Sequence, residues 1–247
     1  MAKSNGLGDQ LFVDGFDLSG DVGTLTRIAA PSTVLEVPGI NATGMERIYA
    51  RHDGEIAFTS YFNDATGQEH LTLRGKSAGV DLHAMYFRGS AIGNVAAALV
   101  AKQIDYDPNR GADGSLVSTT QCLGNLYGLD WGYQLTAGKR TDTSATNGSS
   151  LNNTASSATG GVAYIQVFSV AGTSVTIAIQ SSSDNGGGDA FAAILTSSAV
   201  TAGSTSFQRL ALAALTTSCE QYLRVSTSGT FSSAVFAVMF SREPRQL

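Results

Sequence analysis

Val34-Leu35-Glu36-Val37, then Pro38-Gly39-Ile40-Asn41-Ala42-Thr43-Gly44-Met45-Glu46-Arg47-Ile48-Tyr49-Ala50-Arg51-His52-Asp53-Gly54, then Glu55-Ile56-Ala57-Phe58-Thr59-Ser60-Tyr61-Phe62 is the stretch on which the reading of this 247-residue chain turns. Its two ends alternate apolar and polar residues and favour β-branched and aromatic types, the pattern of strands. Between them, residues 38–54 form a connection with breakers at both ends, Pro38-Gly39 and Asp53-Gly54. A hairpin loop usually takes about two to five residues. This one is much longer and sets Met45, Ile48 and Tyr49 beside Glu46, Arg47, Arg51 and His52. Apolar and ionic side chains on one long connection describe a surface that expects a partner. The plainer reading is a floppy hairpin, or a short helical turn packed on its own domain.

Outward from that stretch, composition sets the class. Hydrophobic residues make up 43% and charged ones 14%, well below the charge of an average globular chain. Gly is abundant at 28, and Ser, Thr and Ala crowd the second half, as in an all-β chain with many tight turns. A pI of about 5.1 argues against a basic nucleic-acid-binding surface. No run approaches the ~18 apolar residues needed to span a bilayer. Met1 to Gly6 lacks the apolar core of a signal peptide, so synthesis in the cytosol is expected. Cys122 and Cys219 suit two reduced, buried thiols, the alternative being a disulfide joining the halves.

Charge divides the chain. Residues 1–136 hold 15 Asp+Glu against 9 Lys+Arg, residues 137–160 hold 1 against 2, and residues 161–247 hold 4 against 4. The acidity belongs to the first part, and that asymmetry is a boundary signal. Residues 136–160 are Thr, Ser, Asn, Gly and Ala with little to bury, which reads as a linker. The expected organisation is a first domain over 1–136, a linker over 137–160 and a second domain over 161–247.

In the first part, residues 10–13 read as a strand closed by the hairpin turn Asp14-Gly15. Residues 16–28 are strand material interrupted by Ser19-Gly20-Asp21, and 68–73 is the best helix candidate. Residues 79–87 alternate as a half-buried strand. Over 93–104 the alanines favour helix while Gly93 and the β-rich neighbours favour strand, and strand is expected. Residues 116–123 and 126–135 complete this part. The last part restarts as strands at 162–170, 174–180, 190–195, 207–213, 221–226 and 233–241, the final two joined as a plain hairpin through Thr227-Ser228-Gly229-Thr230. Such short strands with Gly/Ser turns make a small β-sandwich.

Chemistry is sparse. His52, His70 and His83 are the only histidines, and none pairs with Cys, Asp or Glu at a metal-ligand spacing. No zinc-protease or phosphate-loop motif is present in the sequence, so an enzyme is not the expected class and no cofactor is implied. Asp105, Asp107, Asn109 and Asp113 alternate oxygen side chains as a calcium loop does. The glycine, however, falls at the seventh place (Gly111) and the twelfth holds Leu116 instead of a bidentate Glu. At most this is a weak calcium site, and Pro108 to Gly111 also fits an ordinary turn. Asp184 to Asp189 reads as a flexible hairpin tip. Basic residues are scattered, so phosphate neutralisation is not supported, whereas an acidic wall would repel DNA without holding it.

Gly8 to Asp21, Gly39-Ile40-Asn41 through Met45-Glu46-Arg47, and Asp53-Gly54-Glu55-Ile56 together resemble the tail tube (major tail) proteins of long-tailed phages, especially those infecting actinobacteria. Ala101 to Gly114 and Trp131-Gly132 fit that resemblance. Tyr222 to Val225, with Gly229-Thr230-Phe231 and Val235 to Val238, resembles the β-sandwich appended to such proteins. The resemblance implies an all-β fold: a tail-tube-type β-sandwich or barrel with one short helix, plus a small C-terminal β-sandwich of jelly-roll or immunoglobulin type. It implies six copies in a ring, rings stacked into the tube that conducts DNA, and a loop reaching the next ring. Here that loop is 38–54, with Asn41, Thr43, Met45, Glu46, Arg47, Ile48, Tyr49, Arg51 and His52 as its contact residues. The implied partners are further copies of the chain, tape measure protein and genomic DNA in the bore, tail terminator and tail-tip proteins, and host surface glycans for the outer segment, where no aromatic platform singles out a sugar site. The implied location is the phage tail of the virion. The rival from another class is a capsid decoration protein or tail-tip adhesin with a carbohydrate-binding sandwich.

Overall fold

The computed structural model describes residues 5–76, 79–214 and 216–242, and the chain's outermost residues, 1–4 and 243–247, lie outside them. The expected all-β class is what the fold shows, with antiparallel pairing throughout and one short helix, α1 (Glu69–Leu73), where the helix was expected. The first strands are β1 (Gln10–Val13), β2 (Phe16–Asp17), β3 (Val22–Ala29), β4 (Ser32–Glu36), β5 (Arg47–His52) and β6 (Glu55–Tyr61). After α1 come β7 (Leu82–Phe87), β8 (Val95–Arg110), β9 (Leu116–Gly124) and β10 (Asp130–Gln134). Asp14 and Gly15 both take positive φ, 51° and 78°, which is the mirror-image turn an Asp-Gly pair favours between paired strands.

The last part carries β11 (Arg140–Asp142), β12 (Leu151–Asn152), β13 (Val162–Ser182), β14 (Ala192–Thr196), β15 (Val200–Thr201), β16 (Ser206–Ala211) and β17 (Tyr222–Ser241). Two expectations fail here. The plain hairpin over 221–241 is instead the single strand β17, which runs alongside β13 for almost its whole length. Gly229 (φ +114°) and Gly172 (φ +117°) bend this ribbon, and a Cβ at Gly229 would stand 2.4 Å from the Ser174 carbonyl oxygen. Turn chemistry in the sequence thus marks a bend in one strand rather than a reversal.

The free linker is the second failure. Within 137–160, β11 and β12 both pair with β17. Arg140 clamps Asp142 with two hydrogen bonds, Thr227 Oγ1 donates to Asp142, and the Thr227 amide donates to the Thr146 carbonyl. Backbone pairing and short polar side chains hold this segment, with Leu151 alone packing against the core, so composition mistakes it for a tether.

One sheet path joins both parts in the order β14-β13-β17-β10-β8-β7-β1-β2, with β9, β6 and β3 branching from β8. Strands β1, β7 and the start of β8 are covered on both faces, so alternate side chains feed different cores. Leu11, Val13, Leu82, Ala84 and Leu99 point into the first-part core with Ile56, Phe58 and Leu73. Phe12, Met85, Phe87, Ala96 and Ala98 point the other way, against Val162, Tyr164, Ala237 and Met239 of the last part. The alanine run of β8 is what a strand buried on both sides needs. A third core fills the far end with Val175, Ile177, Val225 and Phe236. Cys122 and Cys219 are both buried free thiols, and burial pushes the Cys122 thiol up to about 12.

His83 sits at the junction, its ring 4.5 Å from Phe207 and 6.1 Å from Tyr164. Burial first, then the nearby Arg209 charge, lowers its pKa from 6.5 to about 4, with Asp81 opposing. Between those values the unfolded chain binds more protons than the folded one, so stability falls as pH drops through this window. Urea unfolding at pH 7 and pH 4.5 should show His83→Phe losing less stability on acidification than the native chain, by up to about 3 kcal/mol. Equal losses would remove His83 as the cause.

Candidate assembly arm and sheet edges

The opening stretch folds differently from a loop between two paired ends. β6 pairs with β3 and β9, while β4 pairs with β5 in a separate two-stranded ribbon. The ribbon continues the β3–β6 hairpin beyond a break at Ala30-Pro31 and Asp53-Gly54. Gly54 is buried there, and a Cβ on it would stand 2.5 Å from the Leu129 amide nitrogen, so the position admits only glycine. The Asp53 amide donates to the Pro31 carbonyl and Ser32 Oγ lies 3.0 Å from His52 Nδ1, which fixes the base.

Beyond that base every residue from 33 to 49 is exposed. The pairings Val34–Tyr49 and Glu36–Arg47 put those four on one face, with Arg47 bonded to Glu36 at 3.0 Å. Leu35–Ile48 occupies the opposite face. Apolar side chains therefore stand on both faces, Tyr49 being 78% exposed, and the tip adds Ile40 and Met45 at 110% and 54%. A helical turn packed on its own domain does not describe this, since the segment is an exposed antiparallel hairpin. An isolated two-stranded ribbon is only marginally stable in water, and one that is apolar on both sides has no face to turn inward.

Of the expected contact residues, Arg47, Ile48, Tyr49, Arg51 and His52 lie on β5, while Asn41, Thr43, Met45 and Glu46 lie in the connection at the tip. Arg51 exchanges backbone hydrogen bonds with Thr33 Oγ1. His52 is turned to the base and half-buried.

The branch sheet runs β8-β9-β6-β3. β7 leaves β8 at Ala101, so the outer half of β8 has β9 on one side and, among the described residues, no strand on the other. β3 is likewise paired only with β6. These are two open margins, which sequence patterning did not identify because alternation reports faces and not neighbours. One face of this sheet packs on α1: Glu69 accepts from Ser60 Oγ, Gln103 donates to the Leu73 carbonyl, and His70 Nδ1 lies 2.7 Å from Tyr106 Oη. The register puts Asp105, Asp107 and Asn109 on the other face with Thr119, Gln121, Glu55, Thr59 and Thr24. That face carries the carboxylates Asp105, Asp107 and Glu55, with Arg27 bonded to Glu55 at 2.6 Å, and the same register adds Tyr61, Val117 and Leu123 to it.

The calcium-loop residues are not brought together. Asp105, Asp107 and Asn109 lie along extended β8, where alternate residues are roughly 7 Å apart, and Asp113 beyond the strand binds the Ser115 amide and hydroxyl. The expected turn at Pro108 is also strand; an edge tolerates the missing N–H. Among the described residues no group of three His, Cys, Asp or Glu could hold a metal ion. At the expected 184–189 tip, Asp184 instead accepts bonds from the amides of Gly187, Gly188 and Asp189, a closed polar turn.

No protein-family model and no curated protein matches the sequence. Among solved structures the fold is similar to a chain of the virion of a native gene transfer agent particle, 12% identical over 52% of this chain and 98% of that one, at a TM-score of 0.41. It is similar to the SPP1 Dit protein (gp 19.1), a hub adsorption apparatus protein of phages infecting Gram-positive bacteria, 10% identical over 94% and 98% at a TM-score of 0.34. A chain of the phage p2 baseplate in its activated conformation with Sr is 8% identical over 94% and 97% at a TM-score of 0.36. At these identities and scores the likenesses assign no family, and the chain's own residues carry the functional reading.

Proposed function

We propose that this chain is a structural virion protein that closes into rings and stacks them into a phage tail tube, the conduit for DNA ejection. The observation that carries the reading is the β4–β5 arm, exposed from residue 33 to 49 and apolar on both faces. Stacking one ring on the next buries it against another copy. The open margins supply the ring. With an even number of alternating strands in β3-β6-β9-β8, the β3 margin of one copy meets the β8 margin of the next antiparallel, so cyclic repetition closes both of these margins. Six copies are taken from the resemblance noted in the sequence.

In this arrangement residues 1–136 form the ring and residues 161–247 stand outside it, joined by the shared core rather than by a loose tether. The face bearing Asp105, Asp107 and Glu55 lines the bore, where it repels DNA and lets DNA and tape measure protein slide. Tail terminator and tail-tip proteins cap the stack.

Negative-stain microscopy of the purified full-length chain at rising concentration tests this. Rings and stacked rings are expected; a chain that stays monomeric overturns it. Phage assembled with Asp105→Lys and Asp107→Lys should build tubes yet eject DNA several-fold more slowly, because the wall now attracts phosphates. Unchanged ejection would remove the bore assignment while leaving the ring intact.

A further inference from the structure

A cleft of about 650 Å3 opens where β10 meets the segment around β12. Such a volume falls within the ~300–1,000 Å3 of small-ligand sites. Trp131 and Tyr133 are two apart on β10, so their rings share one face, and they are 45% and 46% exposed. The opposite wall is Asn152-Asn153-Thr154, and it is held in place. Gln221 Nε2 donates to Asn152 Oδ1 at 2.9 Å, and Asn153 Nδ2 donates to the Gln221 carbonyl at 3.1 Å. Thr154 takes φ +66°, a conformation that β-branched residues rarely adopt, and its amide donates to Asn152 Oδ1 at 2.8 Å. Arg242 also lines the cleft, its Nη2 held by the Ala155 and Cys219 carbonyls at 2.7 and 3.2 Å.

Two exposed rings share the cleft with a fixed rim of amides and hydroxyls, and no carboxylate is among the lining residues. A pyranose meets both requirements, offering an apolar C–H face to a ring and hydroxyls to amides. A peptide strand does not fit as well, because β8 and β17 already pair with the two edges of β10 and leave no ladder to extend. We propose that this cleft binds a saccharide, with a sugar ring stacked on Trp131 and Tyr133 and its hydroxyls bonded by the Asn152–Thr154 rim.

Trp131 is the only tryptophan in the chain, so its emission reads the cleft directly. At fixed protein concentration, a panel of neutral, N-acetylated and uronic-acid tetrasaccharides is titrated while emission and acrylamide quenching are followed. The expected result is a saturable blue shift and lower quenching with at least one member. Tyr133→Ala, which keeps the reporter, should weaken that binding about 5-fold, the scale of one ring contact. Asn153→Ala should also weaken it. No response anywhere in the panel overturns the proposal. So does an identical shift produced by raising protein concentration without sugar, which makes the cleft a contact between copies. None of these readouts needs a ring or a tube, so the outcome is separate from that of the assembly reading.

Discussion

Ile40→Asp combined with Met45→Asp is expected to leave the subunit folded and rings intact while abolishing ring stacks. Both side chains stand at the tip of the arm and touch no core, so their replacement should move the melting temperature by no more than about 2 °C. Burying an apolar side chain of this size contributes about 1.5–3 kcal/mol. A carboxylate pressed into an apolar contact costs more than the lost burial. The loss recurs at every copy around a ring, so the effect on stacking is multiplicative and should read as complete. Sedimentation and microscopy separate the outcomes. Stacks that persist would detach the arm from assembly, and a double variant that unfolds would mean the arm packs on its own subunit. Leu35→Asp, one ribbon pair inward, provides an independent second check.

Asp130→Ala is expected to destabilise the subunit by about 3–5 kcal/mol, the cost of leaving a buried charge without its partner. Asp130 lies on β10, Tyr164 on β13 and Arg209 on β16, so three strands from both parts of the chain converge. The Tyr164 hydroxyl donates to Asp130 Oδ2 at 2.8 Å and accepts from Arg209 Nε at 3.1 Å. Arg209 Nη2 stands 3.8 Å from the same carboxylate, close enough for charge attraction but too far for a hydrogen bond. The guanidinium also lies 3.7 Å over the Tyr127 ring. Burial, then the Asp130 charge, holds the Tyr164 hydroxyl well above its ordinary pKa, which keeps it a donor. Urea denaturation should show Tyr164→Phe costing about 1–2 kcal/mol and Asp130→Leu/Arg209→Met recovering most of the single-variant loss. Additive losses in the double variant would mean that the pair is not coupled.

What could be read in the sequence follows from where the information lies. That 38–54 is an unusual connection was legible from its length and from Met45, Ile48 and Tyr49 standing beside Arg47 and Arg51, and the structure shows these residues exposed on a ribbon. Its pairing was not, because alternation marks 55–62 as a strand without saying whether β4, β3 or β9 lies beside it. Thr227 to Thr230 carries turn chemistry, and only the uninterrupted partner β13 reveals that the chain bends there instead of reversing. Residues 137–160 looked loose since backbone ladders are indifferent to Ser and Thr side chains. The cleft escaped notice because Trp131 and the Asn152 rim are 21 residues apart, one in a segment read as the first domain and the other in a segment read as linker.

The position of β17 in the sheet has a consequence for how the subunit is made. β10, the edge of the first part, acquires one of its two neighbours only from residues 239–240 near the end of the chain. The front portion emerges from the ribosome long before that neighbour exists. Closure of the sheet across so many residues is slow. The junction between the two parts is therefore completed only by a pairing that is remote in sequence, and the long partner ribbon β13–β17 has to form for β10 to lose its open side.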